Sequence, residues 1–149
     1  MRAVVQRVRT AQVAVDGVVV GAIRAGLIAY IGVTRDDGPD DAQYIAAKIV
    51  EMRIFEDDAG KLNQALSRVG GAILAVSQFT LYGDCRRGRR PSFDQAAPAD
   101  AGRLLFDDVV RRMRALGAPV ETGQFQAHMI VTSENDGPVT MLLDSRRHF

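Results

Sequence analysis

One cysteine, Cys85, stands in a chain of 149 residues. That excludes an intramolecular disulfide and any multi-cysteine metal site, and it fits a reducing compartment. Histidine is almost as scarce. His128, expected on a strand, and His148, beside the C-terminus, lack the spacing of a metal-binding pair. No apolar run approaches the roughly 18 residues of a membrane span. The opening "MRAVVQRVRT" places arginines where a signal peptide needs an apolar core. The expectation is a soluble cytoplasmic protein. The glycines form neither G-x-G-x-x-G nor a phosphate loop, and Ser77 lies in "VSQFT" rather than in a G-x-S-x-G elbow. Lysine is limited to Lys48 and Lys61. Genome composition alone can produce such an imbalance, so the preference for arginine is no signal.

Of the residues present, 47% are hydrophobic, which suits one domain burying roughly 70% of the surface its unfolded chain exposes. No repeat, low-complexity stretch or Pro/Ser-rich linker offers a boundary, so residues 1–149 are read as a single domain. Three stretches, "AVVQRV", "VVVGAI" and "LIAYIGV", are separated by Asp16-Gly17 and Ala25-Gly26 and read as a strand meander. Ile45, Ile49 and Met52 recur at helical spacing behind Pro39. A second helix opens at Pro98 and Asp100, carries the stripe Leu105, Val109, Met113 and Leu116, and closes at Gly117. "AILAVSQFTLY" reads as a buried strand running into something less regular, and "AHMIVTS" and "VTMLLDS" as two strands joined at "ENDGPVT". The sum is an α+β fold: a strongly curved, barrel-like mixed sheet with two main helices.

The net charge of +1 hides a separation along the chain. Residues 36–58 carry eight acids against Lys48 and Arg53, in the manner of a solvated turn and a helix start. "CRRGRRPSF" holds Arg86, Arg87, Arg89 and Arg90, a density able to meet phosphates. Cys85 sits beside those arginines, but no base that could activate it is identifiable next to it. Two motifs remain. In "SQFTLY", polar residues interrupt the end of a hydrophobic strand. In "NDGPVT", a proline follows a hairpin-turn signal at once, where it removes a donor from the ladder. Each alone is compatible with an edge strand or a stiffened turn.

Together, in this order, the two motifs resemble the signatures of the D-aminoacyl-tRNA deacylases of the bacterial and eukaryotic type. The similarity continues through "VVQRV", "KIVEMRIFEDDAGKLN", "GRRPSF" and "ETGQF". The resemblance implies a homodimer acting on aminoacyl-tRNA, with active sites at the subunit interface. Gly137 and Pro138, joined by a cis peptide bond and supported by Arg7, would reach from one subunit into the other's site. Their two carbonyls would hold the substrate ammonium group. Ser77, Gln78, Phe79 and Thr80 match the strand that receives the ester, with backbone N–H groups near Phe79 and Thr80 stabilising the oxyanion. Phe125 and Met129 match positions at the adenosine end. The basic loop would contact tRNA phosphates. Selection would work by rejecting L side chains, so glycine would escape it. The 2′-hydroxyl of the terminal ribose would assist, and neither metal nor organic cofactor is called for.

Three stretches depart from the family pattern. "QAHM" (Gln126 to Met129) replaces Gly-Ala-Asp-Met, "TSE" precedes the asparagine where an apolar residue is common, and Cys85 replaces a small polar residue. Two other classes compete with the deacylase reading: a non-catalytic dimeric RNA-binding protein, and a Ser/Thr esterase using Thr80 or Ser77 on small esters.

Overall fold

The computed structural model describes all 149 residues. The meander is present as expected: β1 (Arg2–Val15), β2 (Val18–Ile23) and β3 (Gly26–Gly32). Asp16 and Gly17 both take positive φ, 49° and 78°, the conformation a tight hairpin requires. β1 is long enough to serve two purposes. Its N-terminal half pairs with β3 and its C-terminal half with β2, both antiparallel. Between Val8 and Thr10 its pairing slips by one residue. The slip changes which side chains face inward. Before it, Ala3 and Val5 pack toward the helices; beyond it, Ala11 and Val13 join Val8 on the opposite face.

Helix α1 (Pro39–Glu51) begins with proline at its first position, and the Asp41 carboxylate accepts from the Gly38 amide at 2.8 Å. Its buried residues are Ala42, Ile45, Ala46 and Ile49. A small hairpin follows, β4 (Phe55–Glu56) with β5 (Leu62–Gln64), and then β6 (Ala72–Ser77), which pairs parallel to β3. Helix α2 (Ala99–Ala115) leads to β7 (Val120–Thr122), parallel to β6. It ends as the sequence predicts. Gly117, at φ 87°, lets its amide reach the Arg114 carbonyl while Ala118 reaches Met113.

The expected stripe on α2 is corrected in part. Val109 and Met113 are buried, but Leu116 is exposed, and Phe106 and Val110 complete the buried face. The set 106, 109, 110, 113 follows the i, i+3, i+4, i+7 rule, so it lines up along one face. Helices α1 and α2 pack on each other and on Leu27, Ala29, Ile31, Ile73 and Ala75. Truncating Ile45 or Ile73, both fully buried, to alanine is expected to cost about 2–5 kcal/mol. A second cluster, with Val13, Ile28, Leu74 and Val76, fills the other face of the sheet. There the sheet curls until β2 nears β7: a Cβ on Gly21 would lie 2.3 Å from the Thr122 carbonyl oxygen, so only glycine permits the approach.

The C-terminal region differs most from the reading of the sequence. Residues Ile130–Asp144 form one strand, β8, not two joined by a turn. β8 is antiparallel to β1 throughout, with a break. Gln6 faces Thr140 and Val8 faces Asn135, so Asp136, Gly137, Pro138 and Val139 bulge out opposite Arg7 alone. The opposite edge of β8 pairs with no strand of the chain. His128, expected on a strand, lies in the irregular segment just before β8. No helix is long and apolar enough to cross a membrane.

Candidate active site

β6 carries a buried run, Ile73 to Val76, and stops at Ser77. As the sequence reading expects, the strand then gives way to something less regular, and Phe79–Tyr82 form a short 3-10 turn. Gln78 makes the junction. Its amide still donates to Ile31 at 2.8 Å, continuing the ladder with β3, while its carbonyl accepts from Leu81 and starts the turn. An i to i+3 pattern beginning there leaves the Phe79 and Thr80 amides without acceptors inside the turn. The side-chain amide of Gln78 donates to the Thr80 hydroxyl.

The end of β6 opens into a cavity of about 530 Å³. Ser77, Gln78 and Phe79 line one wall, and Phe125, Gln126, Ala127, His128 and Met129 another. Ala97, Ala99, Gly102 and Phe106, in and before α2, form a third, which the sequence reading had not assigned. Phe125 is held between two α2 side chains, with the Phe106 ring 6.3 Å away and the Arg103 guanidinium 5.6 Å from its centroid. Met129 packs over Gly123, where a Cβ would come within 2.7 Å of its sulfur. Phe79 is 57% exposed and meets Phe93 edge to face at 5.1 Å.

Five of the residues singled out by sequence thus meet in one cavity: Ser77, Gln78, Phe79, Phe125 and Met129. Thr80, Gly137 and Pro138 do not line it. The dipeptide lies on the β8 bulge, exposed, with a cis peptide bond. Gly137 has φ 133°, and a Cβ there would fall 2.8 Å from the Val139 nitrogen, so an L side chain is excluded both by conformation and by space. The bulge is tied at both ends. The Asn135 side chain accepts from the Val139 amide at 3.1 Å, and Arg7, almost wholly buried, donates to the carbonyls of Asp136 at 3.1 Å and Ile54 at 3.0 Å. Asp136 also faces Arg7 Nε through its carboxylate at 3.3 Å.

The arginine loop is a hairpin closed by reciprocal Asp84–Ser92 backbone bonds. Arg86 is engaged there: two of its nitrogens reach the two Asp84 carboxylate oxygens at 2.9 and 2.7 Å, which holds the Asp84 carboxyl below the usual range. Arg87, Arg89 and Arg90 are exposed, as is Cys85. A second, polar groove of about 850 Å³ runs past Arg86, Arg2, Arg35, Arg146 and His148. Burial, first, and the negative charges of Asp37 and Asp144 push the Tyr82 phenol in that groove up, against the lowering effect of Arg2 and Arg146.

The D-Tyr-tRNA(Tyr) deacylase family model matches residues 4–144. A D-aminoacyl-tRNA deacylase of Anaeromyxobacter dehalogenans is 57% identical over 149 residues, the whole of both chains. One of Heliobacterium modesticaldum is 56% identical over 146 residues, 98% of this chain and 97% of that one. The solved structure of the c-Myc DNA Unwinding Element Binding Protein superimposes with a TM-score of 0.91 at 35% identity, covering 97% of this chain and 98% of the other. A probable eukaryotic D-amino acid tRNA deacylase superimposes at 0.79 with 21% identity, over 95% and 97% of the two chains, a likeness of fold. With nearly its whole length matched in sequence, this chain belongs to the D-Tyr-tRNA(Tyr) deacylase family.

Proposed function

We propose that the chain hydrolyses the ester of D-aminoacyl-tRNA to free tRNA and amino acid, in sites each assembled from two copies. The observation that carries this reading is a separation: "SQF" lines the cavity, whereas Gly137 and Pro138 sit on a different strand beside an unpaired edge. A long exposed edge strand invites pairing with a second chain. Ile130 and Leu142, each 60% exposed on β8, add apolar surface to be covered. A second copy along that edge would bring its dipeptide to the mouth of the first copy's cavity.

In that arrangement the carbonyls of Gly137 and Pro138 accept from the substrate ammonium group, with Arg7 fixing their direction from behind. The ester carbonyl faces the 3-10 turn, where the Phe79 and Thr80 amides stabilise the developing oxyanion. With amino group and ester both held, a D side chain points outward and an L side chain meets the wall; glycine is cleaved because it has nothing to reject. An aminoacyl ester is already activated, so water assisted by the terminal 2′-hydroxyl suffices once positioned, and positioning contributes up to about 7–11 kcal/mol. No metal or organic cofactor enters this chemistry. Ser77 and Gln78 flank the ester, Phe125 and Met129 hold the adenosine, and Arg87, Arg89 and Arg90 meet tRNA phosphates.

The test is complementation in mixed dimers. Gly137→Ala disables the dipeptide, and Ala127→Trp fills the cavity mouth. Neither homodimer should release amino acid from D-aminoacyl-tRNA. A purified heterodimer of the two should regain one working site, the intact cavity of one subunit facing the intact dipeptide of the other. A silent heterodimer would mean that each chain builds its site alone.

A further inference from the structure

The cavity carries polar side chains on two walls: Ser77 and Gln78 on one, Gln126 and His128 on the other. The proposed chemistry uses the first pair and leaves the second without a role. Of the four, Gln78 alone makes an intrachain hydrogen bond, to Thr80. Gln126 stands in an unusual place. It is the third residue of the turn that Ala127 closes by donating to the Gln124 carbonyl at 3.3 Å, and its φ is 62°. Glycine or asparagine suits such a position better than a long side chain. The chain therefore keeps a residue of unfavourable conformation at the mouth of its cavity, with a side-chain donor and acceptor both free.

We propose that Gln126 is a base-reading residue, whose amide pairs with the hydrogen-bonding edge of the adenine of the substrate's terminal nucleoside. A primary amide offers an acceptor beside a donor. That matches an exocyclic amino group next to a ring nitrogen, the pairing adenine makes with Asn or Gln, whereas guanine's two adjacent acceptors call for Arg or Lys. Phe125, Phe106 and Met129, lining the same cavity, offer flat apolar surface for a purine face. The inference rests on the deacylase reading for the identity of the nucleoside. It adds the residue that recognises the base, on the wall away from the ester.

The test uses non-hydrolysable 3′-amide analogues: a D-alanyl amide of 3′-amino-3′-deoxyadenosine and its counterpart lacking the 6-amino group. Both are titrated into the full-length protein by calorimetry. The wild type should favour the adenine compound by about tenfold or more. Gln126→Gly should bring the two within roughly twofold and at the same time raise the thermal midpoint, because glycine accepts the turn conformation freely. A residue with only a structural role would shift the midpoint and leave the ratio alone. Equal binding of both compounds by the wild type, or an unchanged ratio in Gln126→Gly, overturns the inference. If the ratio behaves as expected but no amino acid is released from D-aminoacyl-tRNA, the deacylase reading fails and the role of Gln126 stands.

Discussion

Arg7 donates to the carbonyl of Asp136 at 3.1 Å, immediately before Gly137, and is the one β1 residue set against the whole four-residue bulge. Its guanidinium also bonds Ile54, so a single buried cation links β1, the segment before β4, and the dipeptide. Arg7→Ala leaves both carbonyls without their donor and is expected to destabilise the fold by about 2–5 kcal/mol. Loss of the fixed bulge should also lower the D-ester rate by at least about tenfold and weaken the rejection of L esters. Arg7→Lys should restore little, since one ammonium does not span the two carbonyls as the fork does. A variant keeping both rate and discrimination, with stability measured alongside by urea unfolding, would show that the bulge needs no support from Arg7.

Thr80→Ala should keep a substantial part of the deacylation rate. The Thr80 hydroxyl is bonded to the Gln78 amide, with no imidazole or carboxylate placed to activate it, and the side chain lies outside the cavity lining. Single-turnover kinetics on D-aminoacyl-tRNA decide the matter. Loss of turnover in a folded Thr80→Ala variant, with an acyl-enzyme trapped on the wild type, would falsify a mechanism based on backbone and substrate.

Stability should fall in acid through identifiable carboxylates. Burial raises the Asp144 pKa, but the Arg146 amide, the Arg2 guanidinium and nearby positive charges outweigh it and leave the group below its ordinary value. Asp41 behaves alike: burial is opposed by Ser145, the Gly38 amide and the N-terminal charge, again with a net lowering. A depressed folded pKa means stabilisation that is fully present above the unfolded value, about 4, and lost as pH falls through the folded one. Urea midpoints should therefore be level from about pH 5 to 7 and decline below about pH 4, less steeply in Asp144→Asn. A variant with the wild-type acid profile would show that Asp144 contributes nothing to it.

The arginines of the loop should not act equally. Arg86 is committed to Asp84, whereas Arg87, Arg89 and Arg90 are free to meet phosphates. Replacing those three with glutamine should weaken tRNA binding and reduce the salt slope by roughly 0.7–0.9 per lost contact, while the bound complex still reacts. Arg86→Gln should change the slope less. Equal slopes in all variants would place the tRNA on another face.

Much of the fold was legible because β1–β3 and α2 have strong periodicity and ordinary turn chemistry. The failures have local causes. Asn-Asp-Gly signals a hairpin, yet Thr140 resumes pairing with Gln6 on the same partner strand, so the signal marks a bulge within β8. The loss of regularity in "SQFTLY" was legible, but not its path, which Gln78 sets by bonding backward to Ile31 and forward to Leu81, a tertiary choice absent from the local pattern. Phe106 was discoverable: starting the α2 stripe there gives a better helical face than starting at Leu105. Phe125 and Met129 were reached through resemblance, because no local pattern marks either as part of a site. The mate of Phe79, Phe93, comes from a loop that no periodicity connects to it.

The central claim is chiral, and the most direct measurement is release of amino acid from a matched set of D-aminoacyl-tRNA, L-aminoacyl-tRNA and glycyl-tRNA by the purified wild type. The D ester should be cleaved, the L ester spared, and the glycyl ester cleaved to a degree. Forcing extra methylenes into a packed wall typically costs about 1–3 kcal/mol, or roughly five- to 150-fold in rate, and bulkier L side chains should be rejected more firmly. Equal cleavage of D and L esters would contradict the chiral selection while leaving an esterase, and no cleavage of any of the three would leave a dimeric RNA-binding protein on this fold.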